Sequence, residues 1–369
     1  MPIYMDRHDV SKEVTAEIVA QLHYEDLKIQ HKYECKGLTY WFDDERKTAF
    51  CLVEAPNKEA VVSMHDAAHG EVPHIVVEVD KTIVESFLGR IEDPEKSINT
   101  ELNIINDPAF RSIMAIKLHS KLFDKQSLLE FNKISEDFKK SLSQVLHDGN
   151  GRLAHQDSEG FLISFTSVSD ALLSAENLLK EYAKISDKYE IKASDLNIGI
   201  SAGVPLTNKD GFFEKAINDA KGMCGISVAQ IKVSHEIKDL YESQELNKVI
   251  DSPFIYCLTR ADTSFLQKLM DFTENNYMNE NLCSDDFLRQ LGYSKSQFYR
   301  KITGLFGKSP NIFLKEYRLS KSLALLNRSD VNISEIAFKV GFKSQSYFSK
   351  CFQKRYGVLP SNLVSKIAS

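Results

Sequence analysis

The stretches Gly292-Tyr-Ser-Lys-Ser-Gln-Phe-Tyr-Arg-Lys and Gly341-Phe-Lys-Ser-Gln-Ser-Tyr-Phe-Ser-Lys echo one another. Each follows a helix-length apolar pattern and opens on a Gly-aromatic turn. Each continues into a second helix-length pattern with an aromatic pair, Phe298-Tyr299 or Tyr347-Phe348, and a Lys three residues after the first aromatic. Each copy closes on Gly and then Pro: Gly307 and Pro310, Gly357 and Pro360. Helix, short Gly-containing turn and helix is the pattern of a helix-turn-helix. Repeated in tandem with basic second helices, it would set two reading heads on one face of a duplex.

Working outward, Ser284-Asp-Asp predicts the cap of a helix running through Leu291, and the helix after the turn begins near Ser294. A linking helix from about Asn311 to Leu326 carries Leu314, Tyr317, Leu319 and Leu323 as its inward stripe. The supporting helix of the second unit starts at Ile333, with Ile336, Ala337 and Val340 inward. From about Ser264 to Leu363 the chain resembles the DNA-binding domain of the AraC/XylS family of bacterial transcription regulators. The carrying residues are Asp286-Phe-Leu-Arg-Gln-Leu-Gly-Tyr-Ser, Pro310-Asn-Ile-Phe-Leu-Lys-Glu-Tyr-Arg-Leu and Ile333-Ser-Glu-Ile-Ala-Phe-Lys-Val-Gly-Phe-Lys-Ser-Gln-Ser-Tyr-Phe-Ser-Lys-Cys-Phe. The expected base readers are Lys295, Ser296, Gln297 and Arg300 in the first unit, and Ser344, Gln345, Ser346 and Ser349 in the second. Arg can fork onto guanine and Gln onto adenine. Lys301, Lys350, Lys354 and Arg355 are expected on phosphates, which position without specifying. Phe298, Tyr299, Tyr347, Phe348 and Phe352 are assigned to packing.

Length and charge agree with a modular reading. The 369 residues have room for two or three domains, and 43% hydrophobic with 27% charged is ordinary for a soluble protein. Net charge is -6, but from Ser264 onward there are 16 Lys and Arg against 8 Asp and Glu, leaving 30 against 44 before it. A basic tail on an acidic body suits one part that meets phosphates and another that does not. The six Cys are scattered without zinc-like or disulfide spacing, which points to thiols in a reducing cytosol. No signal-peptide pattern and no bilayer-length apolar run is present, so a cytoplasmic location away from membranes is expected.

Residues 1 to about 80 read as strand, helix, strand, strand, helix, strand, a ferredoxin-like βαββαβ order. Six of the ten His fall in the first 74 residues: His8, His23, His31, His65, His69 and His74. His65 and His69 are four apart on a helix and can face one way, while Tyr4, Asp6 and His8 share a strand face. His8, His65 and His69 are therefore candidate metal ligands, of a chemistry suited to nickel, zinc or copper. The segment resembles small ferredoxin-like domains, some described as nickel-binding, through Met1-Pro-Ile-Tyr-Met-Asp-Arg-His-Asp, Leu38-Thr-Tyr-Trp-Phe-Asp, Ala49-Phe-Cys-Leu-Val-Glu-Ala-Pro and His65-Asp-Ala-Ala-His-Gly. Nickel in particular is implied only by that resemblance. The competing reading is a set of surface or hydrogen-bonded histidines.

Residues 81–108 read as a linker, with Glu92-Asp-Pro-Glu-Lys opening its polar part, and 109–260 as a second α+β domain. The latter resembles the class III nucleotide cyclase domain through Asp195-Leu-Asn-Ile-Gly-Ile-Ser-Ala-Gly, Phe212-Phe-Glu-Lys-Ala-Ile-Asn and Ala229-Gln-Ile-Lys-Val-Ser. Carried over position by position, the first metal-holding acid is Lys117, the second is Glu159, and the base-recognising Lys falls near His155. Asn218 is kept, and the transition-state Arg is Gly222. A cation where a metal must sit, and no Arg to stabilise transferred charge, imply a degenerate, non-enzymatic domain. Thr259 to Thr263 reads as the joint to the DNA-binding module, 264–369. The whole is expected to be a multidomain α+β, homodimeric, DNA-binding regulator whose N-terminal parts sense a divalent metal (nickel or zinc) or a small molecule. The alternatives are a nucleotide cyclase fused to a DNA-binding tail, and a metal-storage protein.

Overall fold

In the computed structural model, which describes residues 1–95, 102–118, 125–157, 160–191, 195–207, 211–245, 248–326 and 332–367, the first unit has the expected order. It comprises β1 (Ile3–Asp9), α1 (Ala16–Ile29), β2 (Lys36–Asp43), β3 (Thr48–Glu54), α2 (Lys58–His69) and β4 (Ile75–Val79). The strands pair antiparallel in the order β2-β3-β1-β4. Thr15 and Asn57 cap the two helices, and Gly70, at φ +78°, ends α2. Strand periodicity divides the side chains. Tyr4, Tyr40, Phe42, Cys51 and Val53 pack under α1 and α2, while Met5, Trp41, Phe50 and Leu52 point to the opposite face.

That opposite face is covered by the middle unit. The segment 81–108, expected as a linker, opens instead with α3 (Lys81–Leu88), capped by Asp80 and burying Val84, Phe87 and Leu88. Its carbonyls are satisfied from the middle unit. The buried Arg111 guanidinium donates to Phe87 O and Leu88 O, and the Ser164 hydroxyl donates to Phe87 O. Arg90 lies over the Trp41 ring and donates to the Thr39 hydroxyl and Tyr40 O. The polar run after Gly89 hid an apolar helix before it.

The middle unit contains β5 (Arg111–Leu118), α4 (Lys125–Asp148), β6 (Arg152–Asp157), β7 (Gly160–Phe165), α5 (Val168–Lys188), β8 (Leu196–Gly203), α6 (Glu214–Met223), β9 (Ile231–Val233), α7 (His235–Gln244) and β10 (Ile255–Cys257). Its sheet runs β10-β9-β8-β5-β7-β6, with β8, β9 and β10 parallel and the rest antiparallel. Met114, Ile163, Ile198 and Ile200 pack against α4 and α5. On the other face Ile113, Ala115 and Leu162 join Phe87 of α3, Ala216 and Ala220 of α6, and Trp41 and Phe50 of the first unit in one core. The layers are α1/α2, four-stranded sheet, α3/α6, six-stranded sheet, and α4/α5. Helix α7 and strand β10 were not read from the sequence.

The C-terminal unit is all helical: α8 (Arg260–Asn276), α9 (Ser284–Leu291), α10 (Lys295–Phe306), α11 (Pro310–Leu326), α12 (Ile333–Lys339), α13 (Gln345–Tyr356) and α14 (Pro360–Ile367). The expected joint, Thr259 to Thr263, is the cap and first turn of α8, because the Thr259 hydroxyl accepts from Asp262 N–H. At α9 the cap is Cys283 rather than Ser284, with the Asp286 carboxylate accepting from Cys283 N–H. One core holds Phe265, Phe287, Phe298, Phe306, Ile336, Phe348 and Phe352, and it extends into the middle unit through Met223, Ile226 and Leu258. Among the described residues no helix is long and apolar enough to cross a membrane.

Candidate nucleic-acid interface and metal centre

Both second helices are built alike. Gly292 (φ +73°) ends α9, and the Ser294 hydroxyl accepts from Gln297 N–H to start α10. Gly341 (φ +84°) precedes Ser344, whose hydroxyl accepts from Tyr347 N–H to start α13. Phe298 and Phe348, each the fourth residue after its cap, are fully buried. Phe298 is anchored against Phe265 and Phe287, and Phe348 against Phe342 and Phe352. The first turns are thereby left facing solvent. Lys295, Ser296, Gln297 and Arg300 are exposed, as are Ser344, Gln345, Ser346, Lys350 and Lys354, while Ser349 is half-buried.

The caps correct the register of the repeat. Cap to closing glycine is the same length in both units, Ser294 to Gly307 and Ser344 to Gly357, but the turn before the second cap is one residue longer. Arg300 is therefore equivalent to Lys350, Gln297 to Tyr347, and Leu305 to Arg355. Four expected site residues change character. Gln297 is tied into its cap, accepting from Ser294 N–H at 3.1 Å. Ser344 is itself the cap. The Lys301 ammonium is held by Asp262 at 2.8 Å and lies 5.4 Å from the Phe265 ring. Arg355 sits at a cavity facing the middle unit. Tyr347, assigned to packing, is 55% exposed on the first turn of α13. Its signal was present in the sequence: the aromatic pair runs Phe-Tyr in one copy and Tyr-Phe in the other.

In the first unit the structure brings His8, His65 and His69 together, and adds partners. Asp6, His8, Cys51 and His65 place one donor atom each within 4.8 Å of one another, and so do Asp26, His65 and His69. Strand register explains the first set, since Asp6 and His8 alternate on the helix-covered face of β1 and Cys51 is the direct partner of Asp6 on β3. Asp26 comes from α1, which packs beside α2. His65 is the centre, with Nε2 2.9 Å from Asp6 Oδ2 and Nδ1 3.1 Å from Asp26 Oδ1. Burial pulls the His65 pKa down, but the Asp6 charge and the hydrogen bonds to Asp26 and Asp6 outweigh it and hold the imidazole up at about 10. Burial likewise pushes Asp6 up, and the His65 and His8 charges bring it well below the usual range. Two buried atoms in the cluster, His8 Nε2 and Asp26 Oδ1, lack a hydrogen bond of good geometry. The sequence reading missed Asp26 and Cys51 as possible ligands, because only the α1–α2 and β1–β3 contacts bring them in. His23 and His74 serve elsewhere: His23 Nε2 is 3.3 Å from Asp93, and His74 Nδ1 accepts from Asp9 N–H.

Comparison with known proteins follows the same division. Residues 287–366 match the family described as Helix-turn-helix domain, and residues 4–79 match the Nickel responsive protein SCO4226-like family. The chain is 37% identical over 110 residues to Histidine kinase P4 of Formosa agariphila, covering 30% of this chain and 8% of that protein. It is 35% identical over 104 residues to the HTH-type transcriptional regulator ExsA of Pseudomonas aeruginosa, covering 28% of this chain and 37% of that one. The chain thus spans well under half the length of these curated relatives. A solved adenylate/guanylate cyclase/hydrolase from Silicibacter pomeroyi matches 37% of this chain and 80% of its own at 18% identity, with a TM-score of 0.30. The C-terminal unit is thus similar to helix-turn-helix transcription regulators, and the N-terminal unit to the SCO4226-like family.

Proposed function

We propose that this chain is a sequence-specific DNA-binding transcription regulator of the AraC type, acting as a homodimer, with an N-terminal unit that responds to a divalent metal. The observation that carries the reading is the pair of N-capped helices, α10 and α13, whose first turns are solvent-facing while their Phe298 and Phe348 lock them into one core. Lys295, Ser296, Arg300, Gln345 and Ser346 are the base-reading candidates, and Lys350 and Lys354 the remaining phosphate candidates. Helix α11 fixes the spacing of the heads, and one turn of B-DNA is roughly 34 Å.

The donor set in the first unit fits a divalent transition metal. A thiol, imidazoles and carboxylates converge in a buried place that also contains two poorly satisfied polar atoms. Asp6, His8, Cys51 and His65 would hold the ion, or Asp26, His65 and His69 on the other side of the shared ring. The ion would supply positive charge between buried carboxylates. The protein's own part is to tie β1 to α2 beneath the sheet that rests on the middle unit. A metal preferring one arrangement would shift the DNA-competent population.

The middle unit acts here as a platform and not an enzyme. Lys117 stands where a cyclase needs its first acid. At Gly222 an added Cβ would lie 3.0 Å from Met270 Cγ and 3.5 Å from Leu266 Cδ1 of α8, so the DNA-binding unit occupies the place a catalytic Arg would need. Glu159, the other acid position, lies outside the described residues. Selection of bound duplexes from a random pool, with and without nickel or zinc, tests the whole reading. Two half-sites about one helical turn apart should be enriched, with a metal-dependent yield. Equal retention of all sequences at physiological salt would overturn the DNA assignment, and an unchanged yield would remove metal control. Cyclic-nucleotide turnover abolished by Glu159→Ala would overturn the platform reading.

A further inference from the structure

A cavity of about 490 Å³ lies where the middle unit meets both reading units. One wall is the strap Cys224–Gln230 between α6 and β9. The others come from Phe254 before β10, Lys308 just past α10, and Arg355 in the last turn of α13. The volume falls in the range of roughly 300–1,000 Å³ typical of small-molecule sites, which favour domain junctions. The strap is not passive. Ser227 N–H and its hydroxyl both donate to Leu305 O, and the Phe306 ring lies against Gly225, so the cavity wall also grips the end of the first reading helix.

The lining is mixed, and its balance is cationic. Phe254 and Val228 line it, each with about half of its surface exposed. Arg355 has no ion-pair partner among the described residues, whereas Lys308 is already matched by Glu316 at 2.6 Å. Behind Asn197 and Gln230, which line the cavity, the buried Lys232 ammonium donates, among the described residues, to two neutral oxygens, Asn197 Oδ1 at 2.9 Å and Gln230 O at 3.3 Å. Among the described residues Asp195 is the one carboxylate in the lining.

We infer that this cavity binds a small organic anion with a flat apolar body, its charge on Arg355 and its body against Phe254 and Val228. Such a ligand would touch the middle unit, the end of α10 and the end of α13 at once, fixing the two reading heads relative to each other. The site is distinct from the metal cluster and is read without DNA.

The test titrates the full-length protein with 8-anilinonaphthalene-1-sulfonate, an aromatic sulfonate. The native protein should bind it saturably, one per chain. Arg355→Glu and Phe254→Ser should each weaken binding at least tenfold with unchanged circular dichroism. Val228→Trp, which fills the cavity from an exposed strap position, should do the same without removing any charge. Lys339→Glu, an equal charge reversal at an exposed position of α12 that does not line the cavity, should leave affinity as in the parent protein. Non-saturable binding, or full affinity in both Arg355→Glu and Val228→Trp, overturns the inference.

Discussion

The two helix-turn-helix units share a spacing from cap to closing proline, yet they are held differently. The first is docked. Its Lys301 is paired with Asp262 of α8, its Leu305 carbonyl is bound by Ser227, and its Phe306 lies against Gly225. The second is held from beneath, through α11. The Arg318 guanidinium donates to Tyr277 O and Asn279 O at the end of α8, directly under the Gly341 turn. A repeated sequence therefore conceals two mechanical roles. One reading head is tied to the middle unit, and the other rests on the shared core, the half-buried Arg318 and a tight turn.

The turn glycines give the largest expected contrast. Both have positive φ, so alanine at either costs about 1–2 kcal/mol in backbone strain. At Gly292 an added Cβ meets nothing within 4 Å. At Gly341 it would lie 2.3 Å from the Tyr277 carbonyl oxygen and 2.9 Å from Arg318 Nε. Backbone cannot yield as a side chain can, and overpacking adds about 1–3 kcal/mol. Gly341→Ala should thus lose about 2–5 kcal/mol in urea unfolding, against about 1–2 for Gly292→Ala. Equal losses would show that the second unit is not pinned at that turn.

On the DNA side, the corrected register makes Arg300 and Lys350 equivalent, where the sequence echo had aligned Lys301 with Lys350. Arg300→Ala should cost about 1–3 kcal/mol of binding and relax preference at one base position. Lys350→Ala should act in the same way if the equivalence extends to function. A uniform loss across all sequences, with a shallower salt dependence, would instead support the phosphate role proposed for Lys350. Lys301→Ala should scarcely change binding.

The docking of the first unit carries a pH signature. Asp219 on α6 accepts from Gln267 Nε2 of α8 at 2.7 Å. Burial, outweighing the pull of Lys215, pushes its carboxyl up to about 6. The folded state then binds a proton more readily than the unfolded chain, whose carboxyl titrates near 3.8. Stability from this group is greatest below the unfolded value and falls as pH rises from about 4 to about 6, leaving a penalty at neutral pH. Asp219→Asn keeps an acceptor for Gln267 and removes the charge. It should stabilise the protein by about 1–3 kcal/mol at pH 7 and by almost nothing at pH 4. A variant whose advantage is the same at both pH values would mean that the carboxyl titrates normally.

Much of this was legible in the sequence wherever the signal is local. The βαββαβ order follows from apolar periodicity, and the tandem motif from paired Gly, Ser and aromatic positions. The helical pairing of His65 with His69 needs only a four-residue spacing. What escaped depends on tertiary contacts or on a single residue of register. Helix α3 looks like the start of a linker until Arg111 and Ser164 are seen to satisfy its carbonyls. Asp26 and Cys51 join the histidines only through helix and strand pairing. Arg318 is one basic residue among many until its two carbonyl partners are known. The extra turn residue before Ser344 is invisible while the two copies are aligned on glycine, and visible once they are aligned on their caps.

The smallest expected effect separates the two glutamines that the sequence treats as equal readers. Gln297 closes a reciprocal cap: its own N–H donates to the Ser294 hydroxyl, and its side-chain oxygen accepts from Ser294 N–H. Gln345 is the first residue of α13, exposed, with Ser344 capping past it to Tyr347. Gln297→Ala should therefore lower stability by about 0.5–1 kcal/mol, because one helix-end donor loses its partner. Gln345→Ala should leave stability unchanged within error. In DNA binding the order should reverse, since a side chain committed to its own helix end is less free to reach a base edge than one that takes no part in the cap. If Gln297→Ala altered site preference more than Gln345→Ala, the cap would have to open on binding, and the first head would be the more adaptable of the two despite being the more firmly held.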